Sequence, residues 1–273
     1  MSDEEAQTHL HVGDADPGLS GWEDPLASLR RALAQDELQV YCQPILALPP
    51  GERKYPMAEV LVRLREEEES LLPPGDFLPV FEHYRMMTDL DCWVVRKTVE
   101  WIGKSAPGSI RAYSMNVSSQ SLQDSRLADF LSLTLVSSGA DPARLCVEID
   151  ETDTLQRPEA AASFARAVHA MGCKVIIDGF ARRSVSFAAL KELQPDFIKV
   201  DGSVVRKIPA SPAAQLKMKA IVRVCELAGI GIIAECVEED AVVAQLTKMS
   251  VGFAQGFGVA VPQPIEIGGI APA

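Results

Sequence analysis

A chain of 273 residues with 47% hydrophobic content can bury one large core or two modest ones, and single α/β barrels reach this length. Its formal net charge of −12 excludes a general DNA or RNA binder, which needs clustered Lys and Arg to displace counterions. An anionic ligand would need local arginines, lysines or metal ions to overcome that field.

Residues 1–24 hold seven acidic residues and no Lys or Arg, so they read as a flexible tail ahead of one domain over 25–273. The tail has no basic n-region or apolar h-region, and the HLH at 9–11 is too mobile a setting for a metal site. No apolar run approaches the roughly 18–20 residues of a membrane helix. Six cysteines without a CxxC pair sit mostly in apolar runs, as reduced thiols of a cytoplasmic protein do.

Beyond Pro25 the pattern alternates. Strand-like runs fall at 38–45, 57–64, 111–117, 145–149, 173–178, 196–200, 230–235 and 252–257. Helical spacing fills 86–103, 119–137, 158–171, 184–193, 212–228 and 238–249, with Gly172 and Gly229 as C-terminal stops. Eight strands alternating with helices predict an α/β barrel of the (β/α)8 type. Neither GxGxxG after the first strand nor GxxxxGK[ST] occurs. The REEEE run at 65–69 reads as a solvated loop.

In such a barrel, functional side chains gather at the C-terminal ends of the strands. The eight runs offer Gln43; Glu59 and Arg63; Asn116; Glu148 with Glu151; Asp178; Lys199 with Asp201; Glu235; and Gln255. Glu59, Asn116, Glu148 and Asp178 are hard oxygen donors suited to Mg2+ or Mn2+, and there is no His/Cys cluster for zinc. Arg63 and Lys199 offer charge for a phosphate, and Glu235 is the candidate base. The four histidines lie in the tail or in helices, giving no Ser-His-Asp arrangement.

At this point AEVLVR (58–63) resembles the signature of the EAL domain family, the cyclic di-GMP phosphodiesterase fold, with Val60 in place of the signature alanine. YCQPI, PPGDFLPVFE, DCWVV, MNVSSQSL, VEIDET, IDGF, FIKVDGSVV, AECVE and AQGF follow in order, over roughly residues 28–264. The resemblance implies a modified barrel whose first strand runs against the others. It implies that Glu59, Asn116, Glu148 and Asp178 hold metal, that Glu235 and Lys199 are catalytic, and that Gln255 supports the site. Gln43, Leu61, Arg63, Asp91 and Glu238 match positions that hold the dinucleotide, with Arg63 near phosphate and Asp91 near a guanine.

One segment departs from the pattern. Active members carry two adjacent aspartates at the end of the fifth strand, followed by a glycine-rich, serine-containing loop. Here the second aspartate is Gly179 and the loop reads ARRSVS (181–186). A first Mg2+ or Mn2+ keeps its four apparent ligands, whereas a second loses a charged one. Losing such an electrostatic contact commonly costs about 10²–10³-fold in rate. The expectation is a degenerate EAL domain that binds cyclic di-GMP with little or no hydrolysis and signals to a protein partner. The alternatives are an active Mg2+/Mn2+-dependent phosphodiesterase and a scaffold that binds no nucleotide. The same loop supports homodimers in the family. Arg182 and Arg183 are either phosphate or partner contacts or solvated loop residues.

Overall fold

In the computed structural model, which describes residues 24–48, 54–65, 71–72, 74–105, 110–183 and 187–265, the eight expected strands close on themselves. The acidic tail up to residue 23, most of the REEEE run and residues 184–186 lie outside the described residues.

Helix α1 (Pro25–Ala34) opens the domain, with the Asp24 side chain accepting a hydrogen bond from Ala27 N at 3.0 Å. Strands β1 (Leu38–Ala47) and β2 (Lys54–Arg65) pair antiparallel, with Gln43 opposite Glu59. The short β3 (Leu71–Leu72) and helices α2 (Pro74–His83) and α3 (Met87–Lys104) come next. Then β4 (Ala112–Val117) leads to α4 (Ser119–Leu122) and α5 (Arg126–Ser138), and β5 (Leu145–Asp150) to α6 (Glu151–Gln156) and α7 (Pro158–Ala170). Strand β6 (Lys174–Phe180) precedes α8 (Ala188–Leu193), and β7 (Phe197–Val200) precedes α9 (Gly202–Val205) and α10 (Pro212–Ala228). The chain ends with β8 (Gly231–Ala234), α11 (Asp240–Lys248), β9 (Phe253–Ala254) and β10 (Gln263–Pro264).

The closed ring runs β1–β2–β4–β5–β6–β7–β8–β9 and back to β1. Every neighbouring pair is parallel except those of β1, which runs against both β2 and β9. The inverted first strand is therefore borne out. The predicted helix over 119–137 is two helices, because a turn over 123–125 separates α4 from α5. The helix expected from 184 starts at Ala188. Among the described residues no helix is long and apolar enough to cross a membrane.

Strand alternation divides the barrel interior into layers. Ile45, Met57, Ala112, Cys146, Ile176 and Ile233 form a buried apolar cluster of their own, with Phe197 and Phe253 packed against it. Each of the eight strands contributes one of these residues. This floor is separate from the larger core between the barrel and its helices, which holds Leu145, Val147, Ile149, Val175 and Ile177 on the opposite faces of β5 and β6.

Candidate functional site

Two residues beyond the floor, toward the C-terminal end of each parallel strand, the interior turns polar. The positions are Glu59, Ser114, Glu148, Asp178, Lys199, Glu235 and Gln255, and inverted β1 contributes Gln43 two residues before Ile45. Period-two side chains on eight strands, staggered by two residues at several of their pairings as a closed ring demands, bring them together. Lys199 stands at the centre, 1% exposed. Its Nζ lies 2.7 Å from Glu59 Oε2, 2.8 Å from Glu148 Oε2, and 4.0 Å from both Asp178 Oδ1 and Glu235 Oε1. Amide groups fix Glu59 further: Asn116 Nδ2 donates to Oε1 at 2.7 Å and Gln255 Nε2 to Oε2 at 2.6 Å. Gln255 Nε2 also donates to Gln43 Oε1 at 3.1 Å, and Gln43 Nε2 donates to the Ala260 carbonyl at 2.9 Å.

These contacts push the charges apart in character. Burial raises Glu59, but Lys199, Gln255 and Asn116 outweigh it and hold the carboxyl below its ordinary range. Burial and the neighbouring Glu59 and Asp178 carboxylates push Glu148 up to about 8 against the pull of Lys199. Burial, then Asp178, raises Glu235 well above the usual carboxylate range. Burial alone would lower Lys199; the four surrounding carboxylates reverse this and hold its ammonium charged.

The donor set fits a hard divalent cation in its chemistry. Glu148 Oε1, Asp178 Oδ1 and Glu235 Oε2 are buried oxygens without hydrogen-bond partners, an arrangement that costs free energy unless a cation or proton satisfies it. Among the described residues no group of three or more His, Cys, Asp or Glu side chains is spaced to hold a metal ion as it stands. The Lys199 ammonium lies 2.7 and 2.8 Å from the Oε2 atoms of Glu59 and Glu148.

The remaining sequence-predicted residues lie outside this layer. Leu61 and Arg63 follow Glu59 on the same face of β2; the half-buried Arg63 donates from Nη1 to the Val62 carbonyl, and its Cζ lies 5.7 Å from the centre of the Tyr41 ring. Glu238 is exposed after β8, 3.9 Å from Arg206 Nη1. Asp91 is buried on α3, where its Oδ2 accepts from Ser118 N, Ser118 Oγ and Ser121 Oγ at 2.9, 2.7 and 2.6 Å. It thereby anchors the first turn after β4, and only one of its oxygens is committed to these contacts.

The end of β6 holds a clamp that sequence reasoning missed. Gly179 has φ +66°, a left-handed conformation. A Cβ built there would overlap the Arg182 guanidinium, 2.6 Å from its Cζ. Arg182 is no solvated loop residue. Its Nε donates to Asp201 Oδ2 at 2.8 Å and its Nη1 to Asp150 Oδ2 at 3.0 Å. The other oxygen of each aspartate caps a helix: Asp150 Oδ1 accepts from Thr152 N and Asp201 Oδ1 from Ser203 N. Burial opposes the charge on Arg182, but Asp201 and Asp150 outweigh it and raise its pKa. The backbone beside it is tied as well, with Ala181 N donating to Glu151 Oε1 and Lys217 Nζ to the Ala181 carbonyl. Arg183, by contrast, is exposed. The available signal was an aspartate directly after each of two apolar strands, at 150 and 201, reading as paired N-caps.

A model of the EAL domain matches residues 26–262. Cyclic di-GMP phosphodiesterase PdeB of Shewanella oneidensis is 28% identical over 238 residues, covering 87% of this chain and 28% of that protein. Cyclic di-GMP phosphodiesterase PdeR of Escherichia coli is 30% identical over 238 residues, covering 87% of this chain and 36% of that protein. The chain thus spans about a third of the length of these curated relatives. The FimX EAL domain from Pseudomonas aeruginosa bound to c-di-GMP superposes with a TM-score of 0.80 at 26% identity, covering 88% of this chain and 96% of that one. The PaMucR phosphodiesterase complex with c-di-GMP gives 0.79 at 25% identity, covering 88% and 97%.

Proposed function

The chain belongs to the EAL domain family, and we propose that it is a cyclic di-GMP receptor with little or no hydrolytic activity, passing the signal to a protein partner. The observation that carries this is the end of β6, where Asp178 is followed by a left-handed glycine whose Cβ position is filled by the Arg182 guanidinium. With Arg182 in place, a second acidic side chain there would have to displace the guanidinium and adopt a left-handed backbone that side chains disfavour. The solved neighbours FimX and PaMucR, bound to c-di-GMP, support the ligand class.

In this reading Glu59, Asn116, Glu148 and Asp178 hold one Mg2+ or Mn2+. When bound, such an ion polarises a phosphodiester and favours ionisation of a nearby water. Arg63 at the β2 rim meets a phosphate, and Leu61, Gln43 and Glu238 line the dinucleotide. Asp91 faces a guanine with the oxygen not used by Ser118 and Ser121. Lys199 offsets carboxylate charge, while Asn116 and Gln255 fix the orientation of Glu59. Burial, then Asp178, favours the protonated form of Glu235 in the ion-free site.

A second reading, an active phosphodiesterase, is favoured by one observation: Glu59, Glu148, Asp178, Lys199, Glu235 and Gln255 converge in one layer. Calorimetric titration with cyclic di-GMP in Ca2+, paired with chromatography after incubation in Mg2+ or Mn2+, separates the readings. The receptor gives saturable heat and no linear dinucleotide. Clear turnover would establish the second reading instead. Absence of heat at high ligand concentration would defeat both and leave a protein-interaction scaffold.

A further inference from the structure

We infer that Arg182 is a resident cation of this site: its guanidinium fills the space at the residue after Asp178 and is gripped by Asp150 and Asp201, so that the layer takes no more than one divalent ion. The inference rests on the reading of the carboxylate layer as a cation site, and it concerns the chain's own residues at the end of β6.

The first observation is the space. Gly179 leaves a gap directly after Asp178, and Arg182 fills it, with the guanidinium overlapping any Cβ at position 179. A φ of +66° at position 179 also disfavours a side chain, so glycine keeps the gap open for Arg182. The second observation is the clamp. Asp201 and Asp150 grip Nε and Nη1 from two different strand ends, and both are held in place by capping a helix. A planar guanidinium has the fork geometry for such a two-carboxylate grip, which a lysine lacks. The third is charge. Asp150 pairs with Asp178 across β5 and β6, so the end of this sheet brings three aspartates together: Asp150, Asp178 and Asp201. Three neighbouring carboxylates need a compensating cation. Arg182 supplies it covalently, and Lys199 does the same for the deeper carboxylates Glu59 and Glu148.

Two consequences follow for the site. A divalent ion bound by Glu59, Asn116, Glu148 and Asp178 would have a guanidinium as its neighbour rather than another ion. A guanidinium stabilises a phosphate by hydrogen bonds and charge, yet it cannot ionise a water as a divalent cation does. That combination suits retention of a phosphodiester over its cleavage.

Mn2+ counting by electron paramagnetic resonance, at saturating Mn2+ and without nucleotide, tests this directly. The native chain should bind one Mn2+. Arg182→Ala, which frees Asp150 and Asp201, should gain a second, weaker site, and Gly179→Asp with Arg182→Ala should bind that second ion at least tenfold more tightly. Arg182→Lys should stay at one. Two ions on the native chain would overturn the inference, as would a count that Arg182→Ala leaves unchanged. Should the double variant fail to fold, the native count and Arg182→Ala alone still decide. Because no nucleotide is present, these outcomes are independent of whether the chain binds or cleaves cyclic di-GMP.

Discussion

Two neighbouring layers of one barrel interior are built by the same strands and obey opposite physics. The floor of Ile45, Met57, Ala112, Cys146, Ile176 and Ile233 is held by apolar burial, which is non-directional and tolerant of small changes. One step along the strands, Glu59, Glu148, Asp178 and Lys199 are buried and Glu235 half-buried, and they depend on each charge having its partner. A layer of four carboxylates around one ammonium cannot hold a barrel together alone, because desolvation of ions costs about as much as their attraction returns. The floor supplies the rigid closure, and the polar layer is positioned by it. If this division is right, single substitutions in the two layers should differ in both size and reversibility.

The largest effect should come from Lys199→Met. Removing the ammonium leaves Glu59 and Glu148 facing each other in a buried space without their cation, a loss of about 3–5 kcal/mol in urea unfolding at neutral pH. Mn2+ should restore much of it, since the freed oxygens bind the ion only in the folded state. A loss that Mn2+ leaves untouched would mean that the lysine acts by packing alone. Next in size is Gln255→Leu, which deprives Glu59 Oε2 of its 2.6 Å amide donor and Gln43 of its 3.1 Å one. Hydrogen bonds to charged groups are worth about 1.5–3 kcal/mol, so the unfolding midpoint should fall accordingly. An unchanged midpoint would show that Gln255 is ornamental to the fold of this layer.

Much of this arrangement was legible in the sequence because it follows from period-two alternation. A polar residue near the end of each of eight apolar runs has to converge once the ring closes, and Gln43, Glu59, Glu148, Asp178, Lys199, Glu235 and Gln255 do, while exposed Asn116 reaches Glu59 from one step further along β4. Ser114, buried in the same layer with an unpartnered hydroxyl, escaped because a serine in a strand carries no distinctive signal. Arg182 escaped for a different reason. Its role depends on Gly179 adopting a left-handed φ and on two aspartates from other strand ends turning one oxygen each toward it. Neither fact is local to ARRSVS, where two arginines look like any solvated loop. Asp91 was named from the sequence, but its grip on Ser118 and Ser121 was not, because it joins residues about thirty positions apart. Short helices α6 and α9 were likewise hidden, because four to six residues hold too little periodicity to read.

The smallest effect should be the most informative control. Ile176 sits fully buried in the floor, one step below Asp178 on β6. Ile176→Val removes one methylene from that layer and should cost about 0.5–1.5 kcal/mol in urea unfolding. The loss should be the same with and without Mn2+, because no oxygen of the polar layer changes partner. Asp178 projects from the same strand, so a floor that merely fills space would let it shift and weaken Mn2+ binding. A floor that sets the position of the layer above it absorbs one methylene by local repacking and leaves Mn2+ affinity within about twofold, a change of only about 0.4 kcal/mol. A larger fall in affinity would show that the two layers are mechanically coupled, and the division between closure and chemistry would then fail.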